Sequence, residues 1–395
     1  MSKSSQSVIV IGAGIFGVTA AIELRRRGHI VSLFDPGPLP HPDASSTDIS
    51  KMIRMDYGAD EFYMRFMEEA FVGWDAWNRE WGAELYHESG FLILARGPMQ
   101  PGGFEYESFT LLNQRGHQPQ RLDAAALQTR YPAWAAENYP DGYFSSRAGW
   151  AESGNVVTRL LETARHEGVQ FHEGKTMAHL LEDDSRVVGM VTTDGEAHRA
   201  GTVVVAAGAW TPTLLPHLSE VMWAVGQPVL HFRPANPDHY RPPRFVPWAA
   251  DIARTGWYGF AANADGILKI ANHGVGRRVH PGEPRVVDPH QEGRFRKFLR
   301  HTFPDLVDAP VVGSRLCLYS DTWDGNFWID HDPDRPGLVV ASGGSGHGFK
   351  FAPLLGPLIA DVLEDRPNPY AARFAWRSRG ELTTEAARSV GDEIE

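Results

Sequence analysis

The chain has 395 residues, of which 42% are hydrophobic and 22% are charged, and its formal net charge is −11. This length exceeds one ordinary hydrophobic core, so we expect two domains that share an interface. The acidic balance and the lack of a long basic cluster argue against nucleic acid as a partner, and the single cysteine excludes an internal disulfide or a cysteine-rich metal site.

The same features bear on where the protein works. The first seven residues are polar, without the apolar stretch and cleavage site of a signal peptide, and no apolar run is long enough to span a membrane. A single cysteine is typical of a reducing compartment. We therefore expect a cytoplasmic enzyme that has no membrane partner. The sequence leaves the oligomeric state open, with a monomer as the expectation.

The first predicted elements form one continuous unit. Val8–Ile11 is a β-branched apolar run that predicts a buried strand, and Gly12–Gly17 follows it with the spacing Gly-x-Gly-x-x-Gly. A helix is predicted over Val18–Arg27, and a second strand over Ile30–Phe34. Asp35 closes this second strand. Strand, turn, helix, strand and carboxylate in this order predict a dinucleotide-binding unit.

The chemistry of this unit follows from its backbone. Gly12, Gly14 and Gly17 permit a tight turn and a close approach to a pyrophosphate. The free N–H groups at the helix start, including those of Ile15 and Phe16, attract its negative charge. Asp35 is placed to hydrogen-bond a ribose hydroxyl. These residues leave NAD and FAD both open.

The next predicted elements alternate between helix and strand. Helical spacing and breaking residues predict helices at Asp60–Trp81, Phe104–Gly116, Leu122–Arg130 and Asn155–His166. Alternating or β-branched segments predict strands at Glu84–Leu94, Gly142–Trp150, Val169–His172 and Val187–Thr193.

The second half of the chain returns to the first sheet. Thr202–Trp210 predicts another doubly buried strand, which opens onto small residues such as Ala207 and Gly208 and then a helix start at Thr211–Pro212. Short alternating segments between Val221 and Asn272 predict a large antiparallel sheet. Further predictions are a helix at Pro289–His301, strands at Val311–Tyr319 and Gly337–Ala341, a glycine loop at Ser342–Gly348 and a helix at Phe349–Leu363.

These elements predict an α/β fold in which a Rossmann-type cofactor domain is built from discontinuous segments. We assign residues 1–50, 151–215 and 312–370 to the cofactor domain. Residues 51–150 and 216–311 are assigned to a substrate domain with a large mixed or antiparallel sheet. The polar tail, 371–395, is expected to be partly mobile.

Two late segments carry a family resemblance. Arg315–Tyr319 has the pattern Arg-x-Cys-x-Tyr, and it is followed by Asp324, Phe327, Asp330 and the block Ser345–Phe351. With the N-terminal motif, this order resembles the monomeric sarcosine oxidase and fructosyl-amino-acid oxidase (amadoriase) family of D-amino-acid-oxidase-like flavoproteins. The resemblance covers nearly the whole chain and implies FAD rather than NAD. It also implies that Cys317 is bonded covalently to the flavin ring.

The resemblance assigns further residues to the cofactor. The stretch around Ser50–Arg54 matches the family's segment beside the flavin. Sarcosine oxidases have an arginine where this chain has Lys51, and a histidine pair near Ser45 and Ser46, so sarcosine itself is in doubt as substrate. The cofactor-binding residues that we expect beyond the first motif are Ser45, Ser46, Lys51, Met52, Ala207, Gly208, Cys317, Gly346, Gly348, Phe349 and Lys350.

The resemblance also implies roles at the substrate. Arg54 and Lys350 are expected to hold a carboxylate, because a planar two-donor fork suits that group. Lys269 matches the lysine that promotes reaction with oxygen. The candidate catalytic residues are therefore Lys269, Arg54, Lys51 and Lys350. The cavity lining is expected to include His273, Tyr319 and an aromatic wall of Trp257 and Tyr258.

The implied activity is oxidation of the C–N bond of an N-substituted amino acid to an imine that hydrolyses, with reduction of O2 to hydrogen peroxide. The N-substituent, whether methyl, cyclic or fructosyl, stays open. The alternative is a dehydrogenase of amino or imino acids that uses another electron acceptor. An NAD-dependent dehydrogenase explains neither the late glycine loop nor Cys317. Flavin monooxygenases carry an acidic residue late in the sequence, and the loop Ser342–Ser345 of this chain lacks it. A flavin-carrying binding or electron-transfer module without its own substrate is a further alternative.

Overall fold

A six-stranded sheet built from widely separated parts of the chain carries the first glycine-rich loop. The computed structural model describes residues 5–389 and 391. Five strands run parallel, and the strand at one edge is antiparallel. The order across the sheet is Trp328–His331, Leu338–Ser342, Thr202–Val205, Ser7–Ile11, Ile30–Asp35 and Gln170–Glu173.

Parallel strands end at the same edge of the sheet, so the loops after Ile11, Asp35, Val205 and Ser342 lie side by side. The first helix, Ile15–Arg26, and the late helix, Ala352–Leu363, pack against each other on this sheet. A Cβ on Gly356 would lie 2.5 Å from the Thr19 carbonyl oxygen, so the two backbones approach closely there. The two predicted glycine loops are therefore neighbours.

A nine-stranded sheet forms the second large layer. Its pairing is antiparallel except between Phe91–Ala95 and Trp248–Ala250. The order is Arg277–Arg278, Met222–Phe232, Leu268–Asn272, Trp257–Gly259, Trp248–Ala250, Phe91–Ala95, Asp141–Ser145 and Gln120–Asp123, and Val311–Thr322 also pairs with Met222–Phe232.

Two small antiparallel sheets complete the strands. One contains Met177–Asp183, Arg186–Thr192 and Ala197–Arg199, and the other Lys51–Ile53, Gly149–Ala151 and Tyr86–His87. The remaining helices are Glu61–Trp81, Phe104–Gln114, Ala124–Arg130, Ser153–His166, Thr211–Leu214, Ile252–Thr255, His290–Thr302 and Ala371–Phe374. Among the described residues, no helix has both the length and the apolar character needed to cross a bilayer.

The α/β fold class is confirmed, and several element bounds are corrected. The strand predicted at Gly142–Trp150 is two strands in different sheets, because the chain turns between Ser145 and Gly149. The helix predicted from Leu122 starts at Ala124, since the Asp123 carboxylate accepts a hydrogen bond from Ala126 N and caps it. The strands Met177–Asp183 and Ala197–Arg199 were not predicted.

The domain division stays a prediction, and one segment crosses it. Residues 312–322, assigned to the cofactor domain, extend the pairing of the nine-stranded sheet along its strand Met222–Phe232. The segment 312–322 contacts the loops at the edge of the six-stranded sheet, since Ser345 N donates to the Ser320 carbonyl at 2.9 Å and Ser320 Oγ donates to the Gly208 carbonyl at 3.1 Å. Its residues Cys317 and Tyr319 precede this contact.

The C-terminal tail differs most from expectation. Its described part is anchored in the structure, with the side chains of Glu385, Arg388 and Ser389 buried. Arg388 pairs with Asp321 at 2.7 Å, and Ser389 N donates to the His273 carbonyl at 3.0 Å. Residues 390 and 392–395 lie outside the described residues.

The first glycine loop generates a test of the fold. A Cβ on Gly17 would lie 1.8 Å from the Gly12 carbonyl oxygen, so we expect Gly17→Ala to displace the loop, lower the melting temperature and reduce the content of bound nucleotide cofactor. Differential scanning calorimetry and the absorbance spectrum measure both effects. Gly28→Asn is the control, since a Cβ there meets nothing within 4 Å and asparagine tolerates a positive φ. Equal cofactor content in both variants would contradict the assignment of this loop.

Candidate active site

An elongated cavity of about 370 Å³ runs along the carboxyl edge of the six-stranded sheet. It begins at Asp35 and Lys175, passes the first glycine loop, and ends at Cys317 and Phe349. Among the predicted cofactor residues, those that line it are Gly12, Gly14, Ile15, Phe16, Asp35, Ser45, Ser46, Lys51, Ala207, Gly208, Cys317, Gly346, Gly348 and Phe349.

Asp35 holds the glycine loop at one end of this cavity. Its two carboxylate oxygens accept hydrogen bonds from Ala13 N at 2.8 Å and Gly37 N at 2.9 Å. Each oxygen keeps a lone pair for a ligand hydroxyl. The first-turn amide of Phe16 has no acceptor within its helix, so it can donate to a phosphate. The chemistry of this end fits a dinucleotide.

The segment before Lys51 closes the middle of the cavity. Ser46 Oγ accepts a hydrogen bond from Ile15 N at 3.3 Å, and Ser45 Oγ donates to the Leu318 carbonyl. Arg315 donates to the carbonyls of Ala44, at 2.6 Å, and Thr47. The arginine of the Arg-x-Cys-x-Tyr pattern therefore fixes this segment to the strand that carries Cys317.

The far end of the cavity suits a flat ring. Cys317 is buried there, and Lys51 Nζ lies 4.0 Å from its sulfur. The ring of Tyr319 packs on Gly346, where a Cβ would come within 2.4 Å of it, so only glycine fits. These groups leave a slot that the backbone of the late glycine loop borders directly.

A second cavity of about 70 Å³ adjoins the first. The two share Lys51, Tyr319, Gly346 and Phe349. Its other lining residues are Met52, Arg54, Phe91, Ile252, Tyr258, Phe260, Lys269, His273, His347, Lys350 and Glu385. All four predicted catalytic cations therefore lie in one cavity.

Arg54 is buried in this cavity under three aromatic rings, those of Tyr57, Phe91 and Phe104, at 5.5–5.9 Å. It donates to the backbone carbonyl of Asp56. Burial raises the pKa of the Asp56 carboxyl, although Arg54 and a hydrogen bond from Tyr143 oppose this. Burial thus biases the Asp56 carboxyl toward its neutral form.

Lys350 lies beside Arg54 and donates from Nζ to Tyr57 Oη at 2.9 Å. Burial holds the pKa of Lys350 well below its usual range, and the charge of Arg54 acts in the same direction. Burial also lowers the pKa of His347 to about 3, so its ring is neutral near pH 7. His347 contacts Tyr57 Oη at 3.0 Å and the Gly325 carbonyl at 3.0 Å.

Lys269 occupies the opposite wall of the cavity. Its Nζ pairs with Asp48 Oδ2 at 2.6 Å and donates to the Ser50 carbonyl at 2.6 Å. Burial lowers the pKa of Lys269 to about 8, while Asp48 opposes the shift. Burial alone would raise the pKa of the Asp48 carboxyl, but Lys269, His231 and Lys51 hold it well below its usual range. The ammonium is therefore charged below about pH 8.

His273 links a tyrosine to a carboxylate. Its Nε2 lies 2.5 Å from Glu385 Oε1, and its Nδ1 lies 3.2 Å from Tyr319 Oη. Burial lowers the pKa of His273, although Glu385 opposes this. Burial alone would raise the pKa of Glu385, but His273 and the more distant His347 and Arg54 hold it well below its usual range.

The aromatic wall is corrected by the structure. Tyr258 lines the cavity, but Trp257 packs at 4.4–4.8 Å against Phe298 and Phe295 in a separate core. Consecutive residues of a strand face opposite sides, so both could not face the ligand.

Sequence reasoning assigned no role to several residues that the structure brings to the site. Asp48 and His347 lie within segments in which the sequence pattern indicates roles for other residues. A buried acid or imidazole cannot be identified from the sequence, because it follows no periodic pattern. Glu385 comes from the tail, where nothing in the sequence indicates a return to the cavity.

Comparison with known proteins agrees with this geometry. The family model described as "FAD dependent oxidoreductase" matches residues 7–362. The N-methyl-L-tryptophan oxidase of Salmonella dublin is 30% identical over 358 residues, which cover 90% of this chain and 93% of that protein. The L-saccharopine oxidase of Schizosaccharomyces pombe is 28% identical and covers 98% of both chains.

A solved structure is similar as well. It is the deglycating enzyme fructosamine oxidase from Aspergillus fumigatus (Amadoriase II), in complex with FSA. Its TM-score is 0.85 at 25% identity, and the match covers 100% of this chain and 95% of that one. The family predicted from the C-terminal motifs is confirmed.

The paired cations generate a prediction for a simple anion. Acetate binding, measured by isothermal titration calorimetry, should weaken at least about thirtyfold in Lys350→Met and in Arg54→Met, since loss of one partner of a buried charge pair costs about 2–5 kcal/mol. Lys297→Met, which removes an exposed charge, serves as the control. Equal acetate affinities in all four proteins would contradict an anion subsite here.

Proposed function

The chain belongs to the family of FAD-dependent oxidoreductases, and from this premise we propose that it oxidises an N-substituted amino acid at its secondary amine. The reaction converts the C–N bond to an imine, which hydrolyses in water, and reduces O2 to hydrogen peroxide. The observation that carries this proposal is the meeting of two cavities, one suited to a dinucleotide and one containing two adjacent buried cations, at Tyr319 and Gly346.

The residues of the long cavity fit FAD. The glycine loop and Asp35 would hold its adenosine and phosphate half, whereas Lys51, Met52, Cys317 and the loop Gly346–Lys350 would hold the half that reacts. When bound, FAD supplies the acceptor for two electrons from the substrate and their donor to oxygen.

Arg54 and Lys350 hold the substrate carboxylate in this proposal. Both are buried side by side, so an anion between them relieves their mutual repulsion and restores the charged form of Lys350. A carboxylate bound at two points fixes the orientation of the adjacent carbon and nitrogen, and such positioning supplies much of the catalysis. The reacting amine is neutral, because a protonated nitrogen has no lone pair to assist departure of hydride.

Lys269 supplies a fixed positive charge to the reaction with oxygen. Superoxide that forms in a dry cavity is stabilised by an ammonium group that needs no reorganisation. Asp48 keeps this ammonium in place at 2.6 Å and favours its protonated state.

A peroxide-coupled screen tests the proposal. The substrates are N-methylglycine, N-methyl-L-tryptophan, pipecolate, saccharopine and fructosylglycine, with the corresponding primary amino acids as controls. We expect peroxide and an aldehyde or keto product from at least one N-substituted acid. Substrate oxidation that needs an artificial acceptor and yields no peroxide would favour the dehydrogenase alternative. Inactivity toward all of them with either acceptor would contradict the proposal.

Lys269→Met should slow the oxygen half-reaction by about 10²–10³-fold and leave the anaerobic half-reaction nearly unchanged. Because burial lowers the pKa of Lys269 to about 8, the wild-type oxygen step should slow as pH rises through this value, and the variant should lose this dependence. Stopped-flow spectroscopy measures each half-reaction, with Lys297→Met as the control. Equal effects on both half-reactions would refute this role for Lys269.

We also propose that Cys317 bonds covalently to the flavin: an S–C bond would replace the cysteine S–H bond and one C–H bond of the flavin, and O2 would accept the two electrons and two protons released. Its side chain is buried and lines the long cavity, and this chain has no second cysteine to compete. Wild-type protein precipitated with acid should keep its yellow colour in the pellet, whereas Cys317→Ser should release it to the supernatant. Release of all colour from the wild-type protein would contradict the bond.

The compartment is part of the proposal. A lone cysteine that must stay reduced until it meets its cofactor favours the cytoplasm. One chain supplies all the residues named for both cavities, which supports a monomer as the working unit.

A further inference from the structure

Glu385 reaches the substrate cavity because the residues that follow it are fastened to the segment His273–Gly274. Ser389 N donates to the His273 carbonyl at 3.0 Å, and Arg388 Nε donates to the Gly274 carbonyl at 2.9 Å. Ala387 N donates to the second carboxylate oxygen of Glu385 at 3.0 Å. The carboxylate is thus held in one orientation, with Oε1 on His273 and Oε2 on the backbone.

Three buried side chains form a hydrogen-bond chain. Glu385 Oε1, the His273 ring and Tyr319 Oη follow each other at 2.5 and 3.2 Å, and their residues are 9%, 5% and 6% exposed. Since burial lowers the pKa of His273 and hydrogen bonding holds that of Glu385 well below its usual range, the chain contains a neutral ring and an ionised acid near pH 7.

The direction of each hydrogen bond follows from these charge states. An ionised carboxylate only accepts, so Nε2 of His273 must carry the ring proton. The other nitrogen, Nδ1, is then an acceptor, and the hydrogen bond at 3.2 Å must be donated by the Tyr319 hydroxyl.

This hydrogen-bond direction determines how the Tyr319 hydroxyl can interact with a ligand in the cavity. Tyr319 lines the cavity, but its only proton points away toward His273. Its oxygen can therefore only accept a hydrogen bond from a ligand. This polarity originates at Glu385, although Glu385 itself need not touch the substrate.

We propose that Glu385 is a positioning residue that orders the His273–Tyr319 pair so that Tyr319 accepts a hydrogen bond from the substrate amine, and that this selects secondary over tertiary amines. The inference rests on the proposed function. A neutral secondary amine has one N–H and one lone pair, so donation to Tyr319 leaves the lone pair free for the reaction. A neutral tertiary amine has no N–H and leaves the buried oxygen unpaired.

Glu385→Gln tests the direction of the hydrogen bonds in this chain, because glutamine has nearly the same shape as glutamate. The Ala387 N–H requires an acceptor, so the amide oxygen of the glutamine should stay on it and the amide NH2 should face His273. The ring proton then moves to Nδ1, and the Tyr319 hydroxyl turns its proton into the cavity. In this variant the Tyr319 hydroxyl would offer the ligand a hydrogen-bond donor, whereas in the wild-type protein it offers an acceptor.

The experiment has two readouts. The first is the tautomer of His273 from ¹⁵N NMR of histidine-labelled protein, assigned by comparison with His273→Asn. The second is kcat/KM for the preferred N-methyl amino acid of the peroxide screen and for its N,N-dimethyl counterpart. Glu68→Gln is the control, because it alters a comparable pair with His117, at 2.7 Å, outside the cavity.

In the wild-type protein we expect the proton on Nε2 and a preference for the secondary amine of about 10- to 100-fold, the cost of one unpaired buried acceptor. In Glu385→Gln the proton should move to Nδ1, and the preference should fall by a similar factor. The control should keep both wild-type values.

Three results would overturn the inference. They are a wild-type ring protonated at Nδ1, a wild-type protein that oxidises both amines equally, and an unchanged preference in Glu385→Gln despite a switched tautomer. The first two results are measured on the wild-type protein, so the inference can be tested even if Glu385→Gln does not fold. Inactivity toward every N-substituted acid is a separate result that refutes the proposed function, while the NMR spectrum still reports the polarity of the chain.

Discussion

The structure depends on burying the Arg54 guanidinium beside the Lys350 amine. Burial makes a second positive charge next to the guanidinium costly, and this lowers the pKa of Lys350 well below its usual range. The protein provides the Asp56 carbonyl, the Tyr57 hydroxyl and the faces of aromatic rings, and within the described residues it provides no carboxylate within 4.0 Å of either cation. In the proposed function an anionic ligand completes this arrangement, and a substrate carboxylate is the anion that the proposed reaction requires.

Two glycine loops at opposite ends of the sequence set the position of these cations. The first follows Ile11, the second follows Ser342, and both lie at the carboxyl edge of one parallel sheet. The second loop leads directly into Lys350, while the segment held by Arg315 leads into Lys51 and Arg54. The contacts that shape the long cavity therefore also place these cations in the second cavity. The same backbone segments line both cavities.

How much the sequence predicts depends on how local the signal is. The first glycine loop, the helix that follows it and Asp35 form one continuous sequence pattern, and the structure contains these elements in the same order. Trp257 and Tyr258 show a first limit of prediction from sequence. The sequence shows that their side chains point to opposite faces of a short strand, but which face borders the cavity depends on the elements packed around the strand. Glu385 shows a second limit, because its position depends on contacts of residues 388 and 389 with Asp321, Gly274 and His273, more than 60 positions away along the chain. Asp48 and His347 act through charge and burial, which appear only once the chain has folded.

The central claim is that the substrate is held by its carboxylate between Arg54 and Lys350. The most direct measurement compares kcat/KM for the preferred N-substituted amino acid with that for its carboxamide, which keeps the amine and the shape and removes the charge. The account predicts a loss of at least about thirtyfold for the amide in the wild-type protein and a much smaller loss in Lys350→Met. Equal kcat/KM for acid and amide in the wild-type protein would contradict it.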